Sequence, residues 1–331
     1  MLPTIPDLRQ LRYFVTVAEE KHFGRAAARL SMTQPPLSQA IRALEETLGV
    51  ELFARTKRSV ELTPVGADLL PEVQRLLAAA EGLRPLAQSL ARGEAGVLSL
   101  AFVSTADYGL LPLLLREFGA RHPRVRLELT EATSDVQVEE LVAGRIDAGL
   151  VIAPLPSRHA AQLSWLPIAR EPLVIAMSTE RAARLEQAGG ARGAVIDPAA
   201  DSAPVAEWLD TPVSLRDLAD APLVIFPRRL APGFYDIIMD CYGVAGLAPR
   251  IGQEAIQMQT IVSLVSAGMG VALVPQSLRN LRRTGVVYRP LSESVPAIET
   301  GLVWRTDEVS PVLAGFIEIV RAQAATLAAR V

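Results

Sequence analysis

Residues 33–49 read TQPPLSQAIRALEETLG, with two consecutive prolines at the head of a run whose polar side chains could contact a partner and whose later apolar residues recur at helical spacing. At about 100° per residue, Pro35, Ser38, Gln39 and Arg42 gather on one side of a helix. That side offers apolar, hydroxyl, amide and guanidinium contacts, with no carboxylate before Glu46. Two prolines are tolerated at such a head because the first N–H groups of a helix have no intrahelical partner. Thr33 is the expected cap, and Leu37, Ile41, Leu44 and Leu48 form an opposite stripe that needs a core. A helix end of this kind fits a groove of duplex DNA; a surface helix with a proline start is the alternative for the stretch taken alone. The following segment, VELFARTKRSVELT, reads as two short strands whose turn carries Arg55, Lys57 and Arg58. One hairpin beyond such a helix, these cations are placed for phosphate or minor-groove contact.

A second chemistry sits further along. In VSTADYG, Ser104 and Thr105 lie between a strand and a helix, and EATSDVQ repeats the arrangement with Thr133 and Ser134. Hydroxyls and free backbone N–H groups at helix starts favour an anion. Ordinary helix capping is the competing explanation. Nothing in the sequence supplies a hydrolytic or phosphate-transfer set: neither GxSxG, HExxH nor a phosphate loop occurs. Cys241 is the single cysteine, and His22, His122 and His159 lack metal-ligand spacing, so no metal and no cofactor are expected.

The elements that must position these groups follow from periodicity. DLRQLRYFVTVAEE places Leu8, Leu11, Phe14, Val15 and Ala18 on one helical face, and HFGRAAARLSM gives a short second helix after Gly24. With the proline-led helix they make a helix-turn-helix closed by a winged hairpin. Residues 1–62 hold nine Lys/Arg against seven Asp/Glu, whereas the whole chain of 331 residues carries a net charge of −3. Residues 63–92 are rich in Ala and Leu, with Val73, Leu76, Leu77, Ala80 and Leu83 at heptad-like intervals. They suit a long helix paired with its twin, although Pro71 and Pro85 are expected to kink or break it. From Gly96 onward, strands alternate with helices, which implies an α/β body with a mainly parallel sheet. Two such sets joined by crossing strands enclose a cleft. The first lobe takes about 96–165 and 288–331, the second about 166–287, with an excursion of unassigned role at 178–212. No apolar run reaches the length of a membrane span, and no secretion signal is evident, so a cytoplasmic protein without membrane contact is expected.

The stretch LRYFVTVAEEKHFGRAAARLSMTQPPLSQAIRALEETLGVELFART resembles the winged helix-turn-helix of LysR-type transcriptional regulators, and QPPLS, LLPLLLREF, GRIDAG and LVP point to the branch that regulates aromatic-compound and catechol breakdown. The resemblance implies a DNA-binding domain (1–62), a linker and dimerisation helix (63–92) and a two-lobed, periplasmic-binding-protein-like effector domain (93–331). It implies a homo-oligomer dimerised through the linker helix and assembled as a tetramer. The implied partners are double-stranded DNA, a small anionic or aromatic-derived effector and, as a further contact, RNA polymerase. Positions matching Gln34, Pro35, Pro36, Ser38, Arg42 and Arg55 lie at DNA in such regulators. Those matching Thr105, Ser134, Phe234 and Gln257 face the effector. Gln39 and Ala40 depart from the family's usual Arg and Gln. Ile152 stands where the branch often has Arg, which implies a less acidic or more apolar effector. The competing class is a cytoplasmic α/β binding protein or enzyme that uses the same cleft.

Overall fold

The computed structural model describes residues 5–55, 60–155, 157–159, 161–189, 207–208, 210–307 and 310–328. The chain divides into two compact units, residues 1–89 and 90–331.

The first unit begins with α1 (Leu8–Glu20), α2 (Phe23–Arg29) and α3 (Gln34–Leu48). Each start has a local cause. The Asp7 carboxylate accepts from the Arg9 N–H at 2.9 Å while Gln10 Oε1 accepts from the Asp7 N–H at 3.3 Å, a reciprocal cap. The His22 ring nitrogen Nδ1 accepts from the N–H groups of Gly24 and Arg25 at 3.0 and 3.3 Å. The third helix starts with its prolines in the first turn, as the spacing predicts, but Thr33 makes no side-chain cap. It ends at Gly49, whose φ of 71° a residue with a side chain rarely adopts. Leu37, Ile41 and Leu44 are fully buried, packed with Leu11, Phe14, Val17, Ala26 and Ala27. Phe53 on β1 (Phe53–Arg55) closes this core, with its ring 5.5 Å from Phe14 and 6.1 Å from Phe23. Its antiparallel partner is β2 (Val60–Leu62), in a register that sets Arg55 opposite Val60.

A 28-residue helix, α4 (Pro64–Ala91), follows. The Thr63 hydroxyl accepts from the Gly66 N–H at 3.0 Å and donates to the Glu51 carbonyl at 2.8 Å, tying the helix start to the strand entry. Gly66 is required there because a Cβ would stand 2.3 Å from the Leu52 carbonyl oxygen. The break allowed for at Pro71 or Pro85 does not occur: one helix runs through both. Each proline removes one intrahelical bond, but the Ala- and Leu-rich turns around them are strong helix formers, and Val73, buried in the head's core, holds the first half in place.

The second unit opens with β3 (Ala95–Phe102), a short helical turn α5 (Ser104–Asp107), α6 (Leu110–Arg121), β4 (Arg124–Glu131), α7 (Ser134–Val142) and β5 (Ala148–Ile152). It continues through β6 (Leu163–Glu171), β7 (Leu173–Ser178), α8 (Thr179–Gly189), β8 (Glu207–Trp208), β9 (Leu223–Ile225), α9 (Pro232–Val244) and β10 (Ile251–Glu254). It closes with α10 (Met258–Ser266), β11 (Ala272–Pro275), β12 (Val286–Pro290), β13 (Ile298–Arg305) and α11 (Pro311–Ala328). One lobe carries the sheet β4-β3-β5-β13-β6, the other β11-β7-β12-β8 with the pair β10-β9. The sheets are mixed rather than mainly parallel. β3 is parallel to β4 and β5, but β13 runs antiparallel to β5 and β6, and β7 antiparallel to β11 and β12. The cause is topological: a chain that enters and leaves a lobe on long crossing strands lays those strands against the direction of the local βαβ units.

The hydrogen bonding also moves the lobe boundaries from the expected 165 and 288. β6 stays paired to β13 as far as Glu171, and β12 stays in the second lobe's sheet to Pro290. The crossings therefore fall between Glu171 and Leu173 and between Pro290 and Ile298. Alternating exposure on β6 does not betray which sheet it joins, so the sequence pattern alone places the change too early. Of the excursion at 178–212, residues 190–206 and 209 lie outside the described residues.

Candidate functional site

On the head, the two faces of α3 separate as their chemistry requires. Gln34, Pro35, Pro36, Gln39 and Arg42 are exposed and Ser38 is half-buried, while Leu37, Ile41 and Leu44 are sealed and Leu48 is half-buried. Neighbouring cations are engaged elsewhere. Arg29 contacts Glu19 and Glu20 at 2.7 and 3.2 Å, Arg25 pairs with Glu20, and Arg12 reaches Glu81 at 3.0 Å. Arg42 has no ion-pair partner among the described residues. A residue that sequence reasoning passed over sets the approach of the hairpin: Glu45 Oε1 accepts from the N–H groups of Leu52 and Phe53 at 2.9 and 3.2 Å. A carboxylate one turn past Arg42 and four residues before Gly49 is the only trace of this in the sequence. Arg55 ends β1, and Lys57 and Arg58 lie outside the described residues.

In the second unit, a cavity of about 240 Å³ lies between the lobes. It collects every residue named from the sequence for a small molecule: Ser104, Thr105, Thr133, Ser134, Ile152, Phe234 and Gln257. Three helices of nine or more residues begin at its wall, α7 at Ser134, α9 at Pro232 and α10 at Met258. The capping explanation for the hydroxyls does not describe them. Thr133 and Gln257 make no side-chain cap to their helices, and the Ser134 hydroxyl accepts instead from the Ile152 N–H at 3.1 Å. Thr105 is 5% exposed and its Oγ1 has no hydrogen-bond partner among the described residues, a cost that a bound polar group would relieve.

The start of α7 is fixed from behind by Gln137, whose Nε2 donates to the Ala132 carbonyl at 2.8 Å. Gly149 makes room for it, since a Cβ there would stand 2.5 Å from Gln137 Oε1. Across the cavity, Phe226 and Phe234 stack with ring centres 5.2 Å apart. Phe226 was not singled out from the sequence, although its place at the end of the strand segment LVIF is the usual position for a ligand contact in an α/β sheet. Glu131 and Asp135 also line the wall, and they too went unmarked. Arg228, two residues past Phe226, is held by Asp236 in a two-pronged pair at 2.8 and 2.9 Å.

The lobes are pinned to each other beside this cavity. Asn280 Nδ2 donates to the Tyr108 carbonyl at 2.8 Å. Burial, with Glu131 and Asp107 adding to it, pushes the Tyr108 phenol up to about 12, so it stays neutral. Where the chain crosses, Glu171 accepts from the Ser277 N–H at 2.7 Å and from its hydroxyl at 3.1 Å. Cys241 is buried in α9, its thiol pushed up to about 11 mainly by that burial. Among the described residues, no helix is long and apolar enough to cross a membrane, and no group of three or more His, Cys, Asp or Glu is placed to hold a metal ion.

Comparison with known proteins agrees with both halves. The family described as bacterial regulatory helix-turn-helix protein, lysR family, matches residues 8–67, and the LysR substrate binding domain matches residues 91–325. The chain is 49% identical over 314 residues to the HTH-type transcriptional regulator IlvR of Caulobacter vibrioides, across 95% of this chain and 97% of that one. It is 38% identical over 319 residues to the HTH-type transcriptional regulator AlsR of Bacillus subtilis, across 96% of each. The crystal structure of full-length CbnR complexed with its target DNA superposes with a TM-score of 0.70 at 31% identity, covering 96% of this chain and 99% of that one. The chain belongs to the LysR family of bacterial helix-turn-helix transcriptional regulators.

Proposed function

We propose that this protein regulates transcription by placing α3 in the major groove of an operator, and that a small carboxylate-bearing metabolite in the interlobe cavity controls that grip. The observation that carries the first half is the division of α3: a sealed stripe of Leu37, Ile41 and Leu44 behind an exposed face of Gln34, Pro35, Pro36, Gln39 and Arg42, with Ser38 at its edge. A second helix of a helix pair with that division is a DNA-reading element. Arg55, Lys57 and Arg58 of the hairpin are proposed to hold the phosphate backbone or the minor groove beside it. The domains act as residues 1–62, 63–92 and 93–331, and no catalytic role is assigned to any of them.

Paired heads require an assembly, and α4 supplies the seam. Leu76, Leu83 and Leu90 follow one another at seven-residue spacing with Leu86 between them, and they are 50%, 63%, 47% and 47% exposed. An open heptad row of leucines is what a partner helix covers. A dimer through α4, doubled to a tetramer, then presents the heads to DNA in the cytoplasm. Ligand control needs a ligand that prefers one lobe or subunit geometry over another, and a molecule touching Ser104, Thr105, Thr133, Ser134 and Ile152 on one lobe and Phe234 and Gln257 on the other meets that need.

A mobility shift tests the reading, using the DNA directly upstream of the protein's own reading frame, at low salt, with and without candidate organic acids. A retarded band whose mobility or affinity changes with ligand is expected. The absence of any retarded band with assembled protein at low salt would overturn it.

A further inference from the structure

The interlobe cavity carries two kinds of polar group, and this bears on what kind of molecule it accepts. One set favours an anion. The α7 and α10 helices start at the wall without side-chain caps, and the Thr105 hydroxyl, nine-tenths buried, has no partner among the described residues. The other set favours a cation: Glu131 and Asp135 flank the Thr133–Ser134 loop on the same wall, and Glu131 pairs with Phe102 at the end of the strand that leads to Thr105, so the two charges of one α-carbon can be met at one edge. Asp135 also occupies the first turn of α7, so it already answers that helix's dipole and leaves the uncapped α10 start and Thr105 as the better anion contacts. Much of the remaining lining is apolar, with Ile152, Phe226, Phe234 and Met258 all at least nine-tenths buried. A volume of about 240 Å³ is small for a ligand pocket.

Taking the cavity as the effector site, we infer that the effector is a zwitterionic α-amino acid with an apolar side chain. Its carboxylate meets Thr105 and the start of α10, its ammonium meets Glu131 and Asp135, and its side chain lies on the Phe226–Phe234 stack. A dicarboxylate of the same length would bring a second negative charge against two carboxylates.

Calorimetry on the full-length protein tests this with L-valine, L-leucine and L-phenylalanine, each against its deaminated carboxylic acid, and with cis,cis-muconate. At least one amino acid is expected to bind about tenfold or more tightly than its deaminated partner, the loss that follows from removing one charged hydrogen-bonding group. The double substitution E131Q/D135N should erase that preference, bringing the amino acid and its deaminated partner to about the same affinity. Thr105→Val, which replaces a hydroxyl by a methyl of similar size, should weaken the amino acid and the deaminated acid alike. Muconate binding more tightly than all three amino acids, and weakened by Thr105→Val, would overturn the amino-acid assignment and leave the cavity as the effector site. An amino-acid preference that survives E131Q/D135N would overturn the assignment of the ammonium end. Binding by none of the seven compounds to a protein that still shifts DNA would overturn both the ligand class and the use of the cavity.

Discussion

Replacing Arg42 by alanine tests the proposed phosphate contact of α3 without removing a packed side chain. Arg42 is exposed on α3 with no ion-pair partner among the described residues, and alanine is the strongest helix former. It lies eight residues into the helix, about 12 Å along its axis from Gln34. If the N-terminal turn enters the groove, Arg42 stands over the sugar-phosphate edge rather than the groove floor. Each phosphate contact contributes about 0.9 to the slope of log K against log salt concentration. Two heads on one operator therefore lose a slope of about 1.8, and the deficit of Arg42→Ala relative to the parent shrinks roughly twelvefold between about 50 and 200 mM salt. Fluorescence anisotropy of a labelled operator fragment at four salt concentrations measures this directly. Arg42→Lys should keep the slope, since it keeps the charge, and the thermal midpoint should not change in either variant. Parallel salt plots for the parent and Arg42→Ala would refute the phosphate contact. Identical affinities at every salt concentration would refute the use of this face of α3 altogether.

Other perturbations probe the elements behind the two sites. Gly66→Ala gains about 1 kcal/mol in helix propensity, but it sets a methyl 2.3 Å from the Leu52 carbonyl oxygen, an overpacking that costs about 1–3 kcal/mol. The head should therefore melt at a lower temperature and lose DNA affinity; an unchanged or raised midpoint would mean the two segments can separate freely. Glu171 is held above its ordinary range by burial, only partly countered by its two bonds from Ser277. A carboxyl raised in the folded state contributes full stability below its unfolded pKa and loses it as pH rises through the folded value. Glu171→Gln should therefore flatten the decline in thermal stability above the ordinary glutamate range; an identical pH profile in both proteins would show that Glu171 is not the group responsible. Leu83→Cys should give a disulfide-linked dimer under mild oxidation, whereas Cys241, buried and with a raised thiol, stays unreacted; a monomeric product from assembled protein would place the α4 seam elsewhere.

The local elements were legible in the residues because each has a local cause. Prolines fill the first turn of α3, Gly49 stops it, and apolar residues at three- and four-residue spacing bury Leu37, Ile41 and Leu44. The strand-helix alternation of the second unit and the clustering of Ser104, Thr105, Thr133 and Ser134 at one edge follow from the same kind of reasoning, since successive βαβ units bring their loops to the same end of a sheet. The linker was legible only in part: its helical composition was visible, but its passage through Pro71 and Pro85 was not, because the Val73 packing that steadies it comes from the head.

What the sequence by itself determined is therefore the set of elements and their polar and apolar faces, which depend on neighbours within a turn or two. The tertiary structure alone decided the rest. It set where strands change lobe, since Glu171 and Pro290 are committed by partners more than a hundred residues away. It brought Phe226 and Phe234 opposite Thr105 and Glu131, and it left Thr105 buried without a partner. Hydrogen-bond partners across a sheet and the charge balance of a cavity are sums over distant segments, and no window of sequence contains them.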